Sequence, residues 1–154
     1  MEPEKKILFV CTGNVCRSVL AEKLLNKLAA ERGLAWEARS CGVAAQRYSA
    51  ASPEIRRILE REGAPPFTHV PQLVGRDLLR WADLTLTMTQ EHRRAVLERF
   101  PEFHAKVRVL LPHVGLPGAD VEDPMGRGDE AYERSARDIK EALERLFSMT
   151  SDRF

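Results

Sequence analysis

Cysteine is scarce in this sequence, with only Cys11, Cys16 and Cys41. An odd number at these spacings is neither a disulfide framework nor a zinc-ligand pattern. No apolar run approaches the ~20 residues of a bilayer span, which excludes a transmembrane helix. The opening Met1-Glu2-Pro3-Glu4 is acidic and does not read as a secretory signal. Neither sign of charge dominates: 24 basic residues stand against 23 acidic ones, without a block of like charge. A polyanion-binding surface, and with it a nucleic-acid partner, is therefore not expected. Asparagine occurs only as Asn14 and Asn26, while arginine outnumbers lysine 18 to 6. Few thermolabile amides fit a heat-adapted source, and arginine excess equally fits genomic base composition. These absences lead to the expectation of a soluble cytoplasmic protein with no membrane partner, no metal and no cofactor. Its 154 residues suit one domain, 1–154, large enough to bury a substantial core.

What is present is concentrated in Ile7-Leu8-Phe9-Val10-Cys11-Thr12-Gly13-Asn14-Val15-Cys16-Arg17-Ser18. Ile7 to Val10 form a short apolar run, which suits a strand buried on both faces. Cys11 ends it. Thr12 to Cys16 make a tight loop, with Gly13 and Asn14 as the residue types that tolerate positive φ. From Ser18 onward Val19, Leu20, Ala21, Leu24, Leu25, Leu28 and Ala29 recur at helical spacing. Successive N–H groups in such a loop, feeding a helix N-terminus, converge into a nest for an oxyanion. Arg17 adds a planar fork able to grip two phosphate oxygens. The same positive field favours the thiolate of Cys11. A thiolate at the floor of an anion cradle is a nucleophile aimed at phosphorus.

Cys-x5-Arg-Ser at a strand–helix junction resembles the low-molecular-weight protein tyrosine phosphatase family, in particular its bacterial branch close to the protein-arginine phosphatases. The family signature Cys-x-Gly-Asn-x-Cys-Arg-Ser is met at every fixed position, and the resemblance runs from about residue 5 to residue 147. It implies that residues Thr12, Gly13, Asn14, Val15, Cys16, Arg17 and Ser18 hold the phosphoryl group. It also implies that Asn14 and Ser18 are tied to Ser40 and His69, in Arg-Ser-Cys-Gly and Thr-His-Val-Pro-Gln. Cys16, by the same resemblance, can form a reversible disulfide with Cys11 under oxidant. Cys41 reads as structural filler, and Trp36 and Trp81 as core or half-buried residues.

Along the chain, the first helix is expected to stop at Gly33 and a second strand to span Ala35 to Cys41. Strand, helix, strand at this spacing is a right-handed parallel crossover. Ser52-Pro53 starts a helix with Ile55, Ile58 and Leu59 on its buried side. Residues 64–72 carry three prolines and read as loop. Val74 to Trp81 reads as a short helix, Leu84 to Met88 as a third strand, and Thr89 as the cap of a helix to about Arg99. Val107 to Leu111 reads as a fourth strand. Pro112 to Gly128, with three prolines and four glycines, reads as one long functional loop. A last helix runs from Asp129 to about Phe147. Alternating strands and helices argue an α/β three-layer sandwich on a four-stranded parallel sheet, and the resemblance implies strand order 2-1-3-4. Ligands of such folds sit beyond the carboxyl ends of the strands, where the order reverses.

Cleaving a phosphate ester also needs a proton donor for the departing oxygen. The long loop offers Asp120, Glu122 and Asp123. Asp123 is favoured because Pro124 biases it to an extended conformation, and it matches the Asp-Pro that supplies the general acid in the resembled family. The catalytic set is then Cys11, Arg17 and Asp123, working through a cysteinyl-phosphate. For the substrate pocket the candidates are Val15, Gln46, Tyr48 and Met125. Tyrosine-specific members have isoleucine at the Val15 position and an aromatic pair after Asp-Pro; the arginine branch has threonine there. Val15 offers an apolar wall better suited to a phenyl ring than to a guanidinium, whereas Met125-Gly126 lacks the aromatic pair. The expected activity is hydrolysis of phosphotyrosine in a phosphorylated protein or peptide, with inorganic phosphate or a similar oxyanion as a further ligand. Protein-arginine phosphatase is the alternative, and a non-catalytic phosphoprotein-binding module a more remote one. Arsenate reduction on this fold needs further cysteines between residues 70 and 100, and there are none.

Overall fold

A computed structural model describes residues 4–149. Its sheet has four parallel strands: β1 (Lys5–Cys11), β2 (Trp36–Gly42), β3 (Leu84–Thr87) and β4 (Val107–Val109), in the order β2-β1-β3-β4. The helices are α1 (Arg17–Glu31), α2 (Pro53–Arg61), α3 (Arg76–Trp81), α4 (Gln90–Arg99), α5 (Leu110–His113) and α6 (Asp129–Ser148). A 3-10 segment, Pro101–Lys106, links α4 to β4.

β1 divides the core in two because successive side chains of a strand point to opposite faces. Ile7 and Phe9 enter a cluster with Leu20 and Leu24 of α1, Ile55 and Leu59 of α2, and Ile139 and Leu143 of α6. Leu8 and Val10 enter the other, with Leu79 of α3, Val96 of α4 and Phe100. Helices thus cover both faces, and the expected three-layer sandwich with order 2-1-3-4 is the observed one. The apolar positions foreseen for α1 and α2 are those buried. Ser52 caps α2, its Oγ accepting from Ile55 N at 3.2 Å, and Thr89 caps α4, its Oγ1 accepting from His92 N at 3.0 Å. Trp36 and Trp81 are half-buried, and Cys41 is fully buried in the second cluster.

Two expectations fail between residues 107 and 128. The fourth strand does not reach Leu111: it ends at Val109, and Leu110–His113 turn into α5. The segment from Pro112 is consequently not loop from its first residue. Leu110 and Leu111 are buried in both readings, so apolar character alone did not separate strand from helix. Pro112 is accommodated because the first turn of a helix makes no use of its N–H groups.

Candidate active site

β1 delivers Cys11 to the carboxyl edge of the sheet, between β2 and β3, where the strand order reverses. The loop that follows is turned inside out by its neighbours. The carbonyls of Cys11 and Thr12 accept from Val43 N and Ala44 N, each at 2.9 Å, and that of Val15 from Ser52 N at 2.9 Å. The Asn14 carbonyl lies 2.7 Å from His69 Nε2, which must therefore carry a hydrogen and donate it. With carbonyls pulled outward, the amides of residues 12–16 have no protein acceptor among the described residues. α1 continues the pattern: it has no side-chain N-cap and no acidic residue in its first turn. Unspent N–H groups at a helix N-terminus are what an oxyanion binds.

Of Gly13 and Asn14, the residues able to tolerate positive φ, it is Asn14 that adopts it, at φ 56°. Its side chain explains why the strained conformation is held. Asn14 is fully buried; its Nδ2 donates to Ser18 Oγ and Ser40 Oγ at 2.9 Å each, and its Oδ1 accepts from Gln72 N at 3.1 Å. Directions now follow along the chain of bonds. Ser18 Oγ already accepts from Asn14, so its own hydrogen is free for Cys11 Sγ, 2.9 Å away. That puts a hydroxyl donor on the sulfur of Cys11. Ser40 in turn donates to Glu22, and Gln72 Nε2 donates to the Ser40 carbonyl at 2.9 Å. The expected group of Asn14, Ser18, Ser40 and His69 is assembled around the loop. Burial holds the His69 pKa below its usual value, a shift that the bond to Asn14 only partly opposes.

Arg17 is 5% exposed. One arm is used structurally, Nη1 donating to the Val121 carbonyl at 3.0 Å, and Nη2 stands 3.9 Å from Asp123 Oδ2. Asp123 itself is exposed, and its Oδ1 accepts from Met125 N at 3.1 Å. Cys16 is buried, 3.8 Å from Tyr132 Oη, and burial raises its pKa so that it stays a thiol. Tyr132 is raised to about 12, again by burial first. Cys41 is likewise pushed upward by burial. None of the three cysteines is paired in a disulfide.

The four pocket candidates do not share an environment. Val15 is half-buried and packs against the core cluster that includes Cys11 and Cys16. Gln46 is exposed, Tyr48 is 84% exposed and Met125 is 55% exposed. All three lie in loops rich in small and polar residues.

Three supporting residues escaped the sequence reading. Gly42 ends β2 with no room for a side chain: a Cβ there would overlap Thr12 O and come within 3.0 Å of Asn14 N. A glycine at a strand end is a signal of close backbone approach. Gln72 was legible only as the end of Thr-His-Val-Pro-Gln. His92 had no signal, because its partner Thr12, whose Oγ1 is 2.8 Å from His92 Nε2, is eighty residues away.

Comparison with known proteins fits this geometry. The family model described as low molecular weight phosphotyrosine protein phosphatase matches residues 6–153. The chain belongs to this family. It is 35% identical over 141 residues to a protein-arginine-phosphatase of Bacillus subtilis (strain 168), covering 91% of this chain and 93% of that one. It is 31% identical over 130 residues to the low molecular weight protein-tyrosine-phosphatase PtpB of Staphylococcus haemolyticus, covering 84% and 88%. Among solved structures, the low molecular weight protein tyrosine phosphatase from T. tengcongensis superposes with a TM-score of 0.88 at 36% identity, covering 94% of this chain and 98% of that one. The candidate site of this phosphatase lies at the carboxyl ends of the strands, at the loop that follows β1.

Proposed function

We propose that this phosphatase hydrolyses phosphotyrosine in proteins or peptides through a cysteinyl-phosphate on Cys11. The Cys11 thiolate attacks phosphorus in line, an S–P bond forms, and the P–O bond to the leaving group breaks. Asp123 gives its proton to that oxygen. The resulting Asp123 carboxylate then takes a proton from water, whose oxygen attacks phosphorus; the S–P bond breaks, phosphate leaves and the thiolate returns. Arg17 and the amides of residues 12–18 hold the equatorial oxygens in both steps, supplying the preorganised charge on which phosphoryl transfer depends. The observation that carries this reading is the inverted loop: its carbonyls are bonded outward, while the amides of residues 12–16 stay without a protein acceptor among the described residues. The reading takes residues 1–154 as one phosphatase domain acting in the cytoplasm. Among the described residues no helix is long and apolar enough to cross a membrane.

The test is turnover of p-nitrophenyl phosphate in the presence of a chelator, which separates an enzyme from a binding module. Cys11→Ser is expected to bind inorganic phosphate yet lose turnover by several orders of magnitude; a Cys11→Ser protein that remained active would exclude this mechanism.

Val15 supports the phosphotyrosine choice, since an apolar wall cannot hydrogen-bond a guanidinium. A second reading, protein-arginine phosphatase, is favoured by the 35% identity to the Bacillus subtilis enzyme of that name and by the absence of an aromatic pair after Pro124. Side-by-side kcat/KM for phosphotyrosine and phosphoarginine peptides decides between them.

A further inference from the structure

The acid loop and the oxyanion loop are far apart in sequence, and Asp123 is exposed, with little packing of its own to fix it. Its placement depends on the anchors of the residues just before it. Asp120 Oδ1 accepts from Gln90 N at 2.9 Å, and Val121 N donates to Met88 O at 2.9 Å. Both anchors fall on residues 88–90, where the chain leaves β3 and begins α4. The same turn reaches the oxyanion loop through His92, whose Nε2 meets Thr12 Oγ1 at 2.8 Å. His92 is 5% exposed, and its Nδ1 is buried without a partner among the described residues. A buried, half-satisfied imidazole is a cost to the fold, and Thr12 is its one side-chain hydrogen-bond partner among the described residues.

We propose that the first turn of α4 is a strut that sets the acid loop against the oxyanion loop, with Asp120 and His92 as its two positioning residues. The proposal rests on the phosphatase reading above, in which Asp123 must meet the leaving oxygen while Cys11 meets phosphorus. A misplacement of about 1 Å in such a pairing can cost on the order of a hundredfold in rate. The ring stays neutral under burial, reinforced by Arg17 and by its place at the positive end of a helix, so it serves as a fixed hydrogen-bonding spacer.

Proton delivery matters little for an ester with a well-stabilised leaving group and a great deal for one without, which provides the test. Wild type, Asp120→Ala, His92→Phe and His92→Gln are compared on p-nitrophenyl phosphate and on phenyl phosphate, with inorganic phosphate as inhibitor. Asp120→Ala and His92→Phe are expected to lose roughly tenfold more kcat/KM on phenyl phosphate than on p-nitrophenyl phosphate. Phosphate inhibition should be nearly unchanged in Asp120→Ala, and His92→Gln, which keeps a hydrogen-bonding group, should recover part of the loss. Asp120 is on the surface, so its variant reports even if His92→Phe does not fold. Equal losses on the two esters, or phosphate binding weakened in step with turnover in Asp120→Ala, would overturn the strut. Wild-type protein that hydrolyses neither ester would instead sink the phosphatase reading, and the strut with it.

Discussion

The smallest scale at which the site can be broken is a single methyl group. At Gly42 a Cβ would overlap the Thr12 carbonyl and crowd Asn14 N, both backbone atoms of the oxyanion loop, which cannot step aside as a flexible side chain would. Gly42→Ala is therefore expected to displace the loop and lower kcat/KM by about a hundredfold, with phosphate binding weakened as well. Activity and phosphate titration of the variant check this, and a near-wild-type result would show that the loop can move without penalty. Asn14→Ala attacks the same loop from inside. It removes two donated bonds and one accepted bond, and puts alanine at φ 56°, for an expected destabilisation of about 2–4 kcal/mol by denaturant titration. At this scale the sequence was informative where chemistry is local. Cys11, Arg17 and Ser18 follow from one another within eight residues, and the Gly13-Asn14 pair marked the turn, although the positive φ falls on Asn14 alone. Gly42 and His92 act on partners distant in sequence, and spacing carries no trace of such contacts.

Among the elements, the acid loop is held down by α6 as well as by α4. Ser135, buried on α6, donates from Oγ to the Glu122 carbonyl at 2.8 Å, and Arg134 grips the Glu122 carboxylate with two nitrogens at 3.0 and 3.1 Å. Val121, 1% exposed, is buried in the core cluster that also holds Tyr132 and Ile139 of α6. Ser135→Ala removes the donor but leaves the carbonyl, for an expected loss of about 1 kcal/mol in stability. A drop in kcat larger than any rise in KM should accompany it, since the proton donor rather than the oxyanion site is loosened. Thermal melts and steady-state kinetics measure both. The helices of this molecule were legible because α1, α2 and α6 each present a periodic apolar face and begin after a recognisable boundary. The region from Val107 to Gly128 was less so. Val107 to Leu111, apolar apart from Arg108, is divided between a three-residue strand and the start of a four-residue helix, too short for either period to show.

For the molecule as a whole, the same burial that builds the site makes it sensitive to acid. His92 is lowered from its ordinary value of 6.5 to about 4, by burial first and then by Arg17, with Asp120 and Asp123 opposing. His69 is lowered too, by burial. Unfolded chains take up a proton at each imidazole near pH 6.5, while the folded protein resists until a lower pH. Between those limits the unfolded state binds more protons, so stability is full above about 6.5 and falls as pH drops toward about 4. Carboxylates held low by partners, such as Glu62 with its bond from Lys140, add their own loss only below their ordinary 4.5. Asp138, raised by burial, works in the opposite direction, gaining relative stability as it protonates. His92 and His69 therefore both act in the upper part of the window, above the range of these carboxylates. Melting temperature is expected to fall between about pH 6.5 and pH 5 in the wild type. His92→Gln should flatten that slope, and the His69→Gln, His92→Gln double variant should flatten it further while the steep loss below 4.5 remains. A double variant that kept the wild-type slope above pH 5 would mean that neither imidazole is buried neutral.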